Sequence, residues 1–466
     1  SDVTSVGAAL AWIATQSDLL ALHSSLPNMV TDDLRFYWDA KLISSYSTEG
    51  VDWYDLSGKN NTGLIQNGPS FNPNGYFEFD GVDDRTYQSS PDLELTNNAC
   101  TLEILIKQTG TSSGYYRFFT QSGGSSGFGT YPLGIRGSDG FLVTYLGDTG
   151  NWAAGRPSYP DGTRALMGAN AQWLHLCVVA DLDITGATNR WVYLNGRKVN
   201  WRTQTWNGTL PNGAGALYAA ANPMGGVASM KIYNKALSQS EVNQNYYQAP
   251  IVTDGLIRAL DFSNLVSYES GSSSGYDLTG NDTFDLINDP IYTSDFGGGL
   301  ICDATDDFIV LGDVTATDYV SAECWFRNDI NDSSENIIFN KESSWEVKEQ
   351  NGILQWALLA SNRSWFWSNA NVSVGEGEMC HIVLTYDGNY VKFYFNGVET
   401  VSYTYPSGGV LASQTSCYPK LNSRGCTRTS PSSLGNKSYF QFRIYDRALT
   451  NDEVSQNFQA QSSRFI

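Results

Sequence analysis

Apolar and polar residues alternate with a period of two through much of this chain. In "NYVKFYFNG" Val391, Phe393 and Phe395 fall on one side and Lys392 on the other, the pattern of a strand with one face in a core. "RWVYLNG" repeats it more weakly at 190–196. Both runs end in Asn-Gly, at Asn195-Gly196 and Asn396-Gly397. Both residue types tolerate positive φ, so each pair predicts a tight hairpin. Short runs of this kind, parted by Gly, Ser and Asn turns, predict an all-β fold of two-sheet sandwiches.

Helical spacing is confined to a few places. In "SVGAALAWIATQSDLLALHSSLP" Val6, Ala9, Leu10 and Ile13 share a face, Trp12 adds bulk, and Leu19 and Leu20 follow a polar interruption. Pro27 ends the pattern. Such a segment either covers a sandwich or assembles chains and docks them onto a larger body. "IYNKALSQSEVNQNY" (232–246) and "IYDRALTNDEVSQNF" (444–458) each predict a strand end followed by a short helix. Ser238 and Thr450 stand three residues before Glu241 and Glu453, the spacing of a capping box. Leu237 with Val242, and Leu449 with Val454, have the spacing of a hydrophobic staple. These helices are expected to close a domain and to touch no ligand.

The closing motif is one of a series written twice, in the same order. "YDLSGKNNTGLI" (54–65) answers "YDLTGNDTFDLI" (276–287), and "FEFDGVDDRTY" (77–87) answers "LICDATDDFIV" (300–310). "LHLCVVADL" (174–182) answers "CHIVLTYDG" (380–388). The chain therefore divides into an N-terminal helical segment, 1–29, and two homologous sandwiches, 30–250 and 251–466.

With 28 basic and 48 acidic side chains the net charge is −20. An acidic chain without a basic cluster repels phosphate, which argues against nucleic acid and anionic membranes as partners. The apolar part of the first segment is too short for membrane insertion. It also lacks the basic start of a secretory leader in its first thirty residues. Seven cysteines are no disulfide framework: five sit in apolar strands as expected buried thiols, and Cys417 and Cys426 share a loop in which they either bridge or do not. Three histidines form no cluster, so zinc has little support. His175 and His381 occupy matching strand starts and are expected to pack and hydrogen-bond.

The motif series resembles the laminin-G-like branch of the concanavalin A-like lectin/glucanase superfamily, over almost everything after residue 30. The resemblance implies jelly-roll sandwiches of about a dozen antiparallel strands, usually with a non-catalytic role in binding glycans or proteins. The "RALTNDEVSQNF" ending is similar to that of predicted structural proteins of marine tailed bacteriophages. It implies capsid decoration or a tail appendage on a virion surface, assembled in the host cytoplasm. The N-terminal segment, with Val6, Leu10, Trp12, Ile13, Leu19 and Leu20, would then contact other virion proteins or sister chains. A secreted, extracellular lectin is the alternative. The superfamily's glucanases carry Glu-x-Asp-x-x-Glu on one strand, and no such run occurs here. The acidic "VGEGEM" (374–379) reads as a loop, so no catalytic residue is expected.

For glycan binding, the aromatics of "NWAAGRPSYP", "NWRTQTWNGT" and "NRSWFWSNAN" stand beside amides and charges. Trp152, Trp201, Trp206, Trp365 and Trp367 are the candidate platforms for host polysaccharide, with capping of the core as the alternative role. No cofactor is required. Calcium is the plausible metal, as the resemblance implies such domains often hold one. Its candidate ligands are Asp55, Asp83 and Asp84 with their repeats Asp277, Asp306 and Asp307. The same residues equally suit Asx-turns.

Overall fold

The computed structural model describes residues 29–89, 91–109, 115–121, 133–136, 141–144, 153–155, 158, 173–184, 189–200, 217–221, 224–249, 251–280, 282–314, 318–360, 364–405, 409–412 and 417–466. The chain splits into two compact units, Ser1–Ala249 and Pro250–Ile466. The assembly candidates Val6, Leu10, Trp12, Ile13, Leu19 and Leu20 lie outside the described residues.

Among the described residues each unit contains two eight-stranded sheets. That exceeds the expected dozen strands, because short edge pieces such as Asp52–Trp53 and Ser70–Asn72 add to the count. In the first unit, one sheet is centred on Ala99–Gln108, between Trp173–Asp181 and Met224–Tyr233, and all its pairings are antiparallel. Its inner face meets the other sheet in a core that includes Phe36, Leu102 and Ile104 from one side and Phe118, Leu133 and Ile135 from the other. The second unit repeats the plan with Val320–Asn328 between Glu378–Tyr386 and Lys437–Tyr445. Cys100, Cys177, Cys302, Cys324 and Cys380 are buried free thiols, while Cys417 and Cys426 form a disulfide. Among the described residues no helix is long and apolar enough to cross a membrane.

The closing helices are Gln239–Tyr247 and Asn451–Phe465. Both capping boxes are made: the Ser238 and Thr450 hydroxyls accept from the N–H of Glu241 and Glu453, whose carboxylates accept in return. Leu237 and Val242 pack into a second apolar cluster on the outer side of the sheet, as do Leu449 and Val454. The Asn-Gly hairpins make room for these helices. Gly196 and Gly397 have φ of +72° and +78°, and a Cβ on either would come within 2.7 Å of the Tyr246 or Phe458 ring.

Beneath each helix lies a buried polar hub. Glu103 accepts from the Lys231 ammonium at 2.5 Å and from Asn245 at 2.6 Å, with His175 at 3.3 Å. In the second unit Glu323 accepts from Arg443 at 2.7 Å and Asn457 at 2.7 Å, with His381 at 3.0 Å. The helix amide goes on to hold the start of its domain. Val30 N–H donates to the Asn245 side-chain oxygen and Val252 N–H to that of Asn457, while the Tyr233 and Tyr445 hydroxyls donate to the backbone carbonyls of Val30 and Val252. Burial works to raise the Glu323 carboxyl, but Arg443 and His381 overcome it and hold it down at about 2. Glu103 is lowered in the same way by Lys231 and His175. The histidines pack as expected, His175 against Tyr246 and His381 against Trp325 and Phe458, and His381 adds a hydrogen bond to Glu323.

Candidate functional site

The second sheet of the second unit carries an outward face that strand register assembles residue by residue. Val310 pairs with Lys420, Lys420 with Asn340, Asn340 with Glu346, Glu346 with Ala357, and Ala357 with Trp367. Directly paired residues share a face, so these six form one rung across the sheet. The next rung on that face holds Lys348, Gln355 and Asn369. The intervening residues Trp345, Val347, Leu354 and Trp356 point into the core. Period two thus separates the core from the candidate site within each strand.

Arg424, from the chain that follows the Cys417–Cys426 bridge's first half, lies over this face. Its guanidinium donates to both Glu346 oxygens, at 2.9 and 2.6 Å, and to Glu335 at 3.0 Å. It also sits 5.6 Å from the Trp367 ring centroid, and the Lys348 ammonium lies 4.6 Å from the same ring. Lys348 donates to Glu335 as well. The ion pairs draw the Glu335 carboxyl below its ordinary value, Lys348 contributing most, whereas burial keeps Glu346 raised despite Arg424. Asn340 donates to Glu346 at 2.7 Å. At the end of the rung Trp367 stays 40% exposed, with the half-buried Trp365 ring 6.2 Å away. A flat apolar ring fringed by fixed donors and acceptors can stack a sugar face and read its hydroxyls.

Of the aromatic candidates, Trp365 and Trp367 come together here; Trp152, Trp201 and Trp206 lie outside the described residues. No local pattern marks Arg424, Lys348 and Glu346 for this site: strand register brings Lys348 and Glu346 towards Trp367, and the loop after Pro419–Leu421 brings Arg424.

The acidic candidates divide. Asp83 and Asp84 join Asp80, and Asp306 and Asp307 join Asp303, each trio placing carboxylate oxygens within 4.8 Å of one another. Oxygen ligands of this kind suit a hard cation. They also build the turn: Asp84 accepts from Asp80 N–H and Asp307 from Asp303 N–H. The candidates Asp55 and Asp277 lie outside these trios. Asp55 accepts from the N–H groups of Tyr37, Ser57 and Asn61 and from the Ser57 hydroxyl. Asp277 accepts from Ala259 N–H and from the N–H and hydroxyl of Thr279. These oxygens are taken up locally, as Asx-turn geometry requires.

The family model of the concanavalin A-like lectin/glucanases superfamily (laminin G type) matches residues 80–243 and 303–455, about two thirds of the chain. The chain belongs to this superfamily. No curated relative matches it in sequence. Among solved structures, the superfamily member resembles the binding domain of Paraclostridial Mosquitocidal Protein 1, at 14% identity and a TM-score of 0.36 over 44% of this chain and 52% of that one. The botulinum neurotoxin serotype D ligand binding domain in complex with N-acetylneuraminic acid gives 15% and 0.37, over 45% and 51%. Domain 4 of AbnA, a GH43 extracellular arabinanase from Geobacillus stearothermophilus, in complex with arabinotriose gives 20% and 0.35, over 44% and 98%. The chain spans about half the length of the two toxin domains.

Proposed function

We propose that this chain is a non-enzymatic glycan-binding protein whose second sandwich holds saccharide against Trp367. One observation carries the reading. Trp367 stands 40% exposed at the end of a rung that also carries Glu346, with Arg424 and Lys348 fixed around its ring. Carboxylates that are ion-paired to Arg424 or Lys348 suit orienting a ligand, and no catalytic role is assigned to them. Binding to polysaccharide arrays by the parent and by Trp367→Ala tests the proposal. A loss of at least about tenfold is expected from removing the stacking surface. Equal binding by the two proteins would overturn it.

The setting we propose is a virion surface, as capsid decoration or tail appendage, with residues 1–29 holding the chain to other virion proteins or sister chains. Support comes from the likeness of the closing motif and from an N-terminal segment that the repeat does not contain. Normal incorporation into particles by a chain lacking residues 1–29 would defeat the attachment role. Weak single sites gain from display in many copies, so arrays are best read with the chain immobilised at high density.

A further inference from the structure

We infer that the first unit fastens itself covalently, by an amide bond between the side chains of Lys231 and Asn245 that Glu103 promotes. One buried carboxylate holds both reactants. Its Oε1 accepts from the Lys231 ammonium at 2.5 Å and its Oε2 from the Asn245 amide at 2.6 Å. Amine and amide therefore stand side by side on one small planar group, with no encounter left to wait for. Lys231 comes from the strand Met224–Tyr233 and Asn245 from the closing helix Gln239–Tyr247. All three residues are buried, so water does not compete for the carbonyl. The Asn245 amide is held in its own plane: Nδ2 donates also to the Tyr233 hydroxyl at 2.9 Å, and Oδ1 accepts from Val30 N–H at 2.9 Å. A nucleophile approaches a carbonyl from its face, which none of these bonds occupies. The Val30 N–H also steadies the charge that builds on Oδ1 during attack.

The chemistry needs nothing from outside. Burial works against a charge on Glu103, but Lys231 and His175 keep its carboxylate ionised and able to accept a proton. Glu103 takes a proton from the Lys231 ammonium, and the freed amine attacks Asn245 Cγ, forming the Nζ–Cγ bond. The carboxyl returns that proton to Nδ2, the Cγ–Nδ2 bond breaks, and ammonia leaves. The surplus proton on Nζ passes to Glu103, which ends as a neutral carboxyl. An ammonium–carboxylate pair and an amide thus become a new amide, a carboxylic acid and ammonia, with charge and atoms in balance. A neutral Glu103 suits a buried site that has lost its cation. The second unit repeats the carboxylate and the amide in Glu323 and Asn457 but sets Arg443 in the place of Lys231. A guanidinium does not give up its proton in a protein, so that hub stays ionic. Its helix is fastened instead by the added Arg464 and Phe465, which reach Asp261 and Trp325.

The test is the mass of the full chain, folded and held at neutral pH, then reduced at its one disulfide and mapped by proteolysis. The parent is expected to weigh one ammonia less than its sequence, with Lys231 and Asn245 in a single branched peptide. Lys231→Arg copies the second unit and keeps a cation beside Glu103, and it should restore the full mass. Glu103→Gln keeps the shape without the proton acceptor and should restore it as well. Circular dichroism of each variant confirms folding, and should neither variant fold, the branched peptide of the parent decides alone. A folded parent of full mass would overturn the inference. So would a loss of ammonia that maps to an Asn-Gly pair, where a succinimide forms by backbone attack, or one that persists in folded Lys231→Arg. A matching loss at Asn457, where no lysine stands, would overturn it too.

Discussion

The two closing helices begin alike and end differently. Each starts with a capping box, places an asparagine over a buried glutamate and ties down the first strand of its domain. The first then stops after 9 residues, at Tyr247, where Gln248 turns into the left-handed conformation. The second runs for 15 and adds Ala460, Gln461, Arg464 and Phe465. Phe465 stacks on Trp325 at 4.4 Å and meets Phe440 at 5.7 Å, while Phe458 also stacks on Trp325, at 5.6 Å. Leu105 occupies the place of Trp325 in the first unit, opposite His175 as Trp325 is opposite His381. It is half-buried where Trp325 is wholly buried. The shared part is the machinery that closes the fold. The extension is a second layer of packing laid over it, with a residue of matching size beneath.

Breaking the shared hub should have the largest effect. Glu323→Ala leaves Arg443 and His381 buried without their anion, and Glu103→Ala does the same to Lys231 and His175. Each is expected to destabilise its own unit by about 3–5 kcal/mol, read from denaturant unfolding of the full chain. A near-neutral result in either unit would break the equivalence. Acid should act in the same direction. The Glu323 value, about 2, lies below its ordinary 4.5. Its stabilisation is therefore complete above about pH 4.5 and lost as pH falls towards about 2.

The hub carries no local sequence signal. The strands, hairpins and closing helices were legible because alternation, Asn-Gly and capping boxes are local signals. The hub's members are scattered at positions 103, 175, 231 and 245, and their common purpose appears only when three strands and a helix are paired. A signal did exist. Glu103 and Glu323 hold the same place in otherwise apolar strands of the two repeats, as do Lys231 and Arg443. A charge kept in a core strand in both copies asks for a buried partner. Trp367 was legible as an exposed aromatic in a polar stretch. Arg424 was not, since 57 residues separate it from Trp367 and no local pattern marks its approach.

The extension is the next target. Trp325→Leu gives the second unit the first unit's residue, under a helix built for a larger one. Leaving a cavity beneath Phe458 and Phe465 should cost about 2–4 kcal/mol. Leu105→Trp, the reverse change, adds a ring with no Phe465 counterpart to cover it and should change stability by less than about 1 kcal/mol. Similar losses from both substitutions, measured by urea denaturation, would show that the extra turns of helix are not what holds Trp325.

Arg464 makes the comparison electrostatic. Its guanidinium lies 3.1 Å from both oxygens of Asp261. Burial raises the Asp261 carboxyl, but Arg464 brings it below its ordinary value. Among the described residues no helix arginine reaches the matching Asp39, and burial leaves its carboxyl raised in spite of Lys231. A lowered carboxyl contributes stability above its unfolded value and loses it as pH falls. A raised one contributes below its unfolded value and loses it as pH rises. Arg464→Met should therefore cost about 1–3 kcal/mol at pH 7 and less at pH 3, turning Asp261 into a second Asp39. Melts of the variant at the two pH values check this, and an equal loss at both would show that Arg464 acts through packing alone.

The smallest effect separates the acidic turns. Burial, with Asp303 and Asp306 beside it, pushes the Asp307 carboxyl up from 3.8 to about 6, and Asp84 is raised in the same direction. By the same rule, ionised Asp307 costs stability at neutral pH, and that cost disappears as pH falls below its ordinary value of 3.8. Asparagine keeps an oxygen for the Asp303 N–H and cannot ionise. Asp307→Asn should thus stabilise the second unit by up to about 1 kcal/mol at pH 7.5 and leave it unchanged at about pH 3. Repeating the melts in millimolar calcium turns the turn into a test of the metal. An ion held by Asp303, Asp306 and Asp307 neutralises the repulsion that raises Asp307, so the parent would gain stability and the variant would not. Equal shifts in the two proteins would leave these carboxylates as turn-formers only, as the N–H groups of Asp80 and Asp303 already use Asp84 and Asp307.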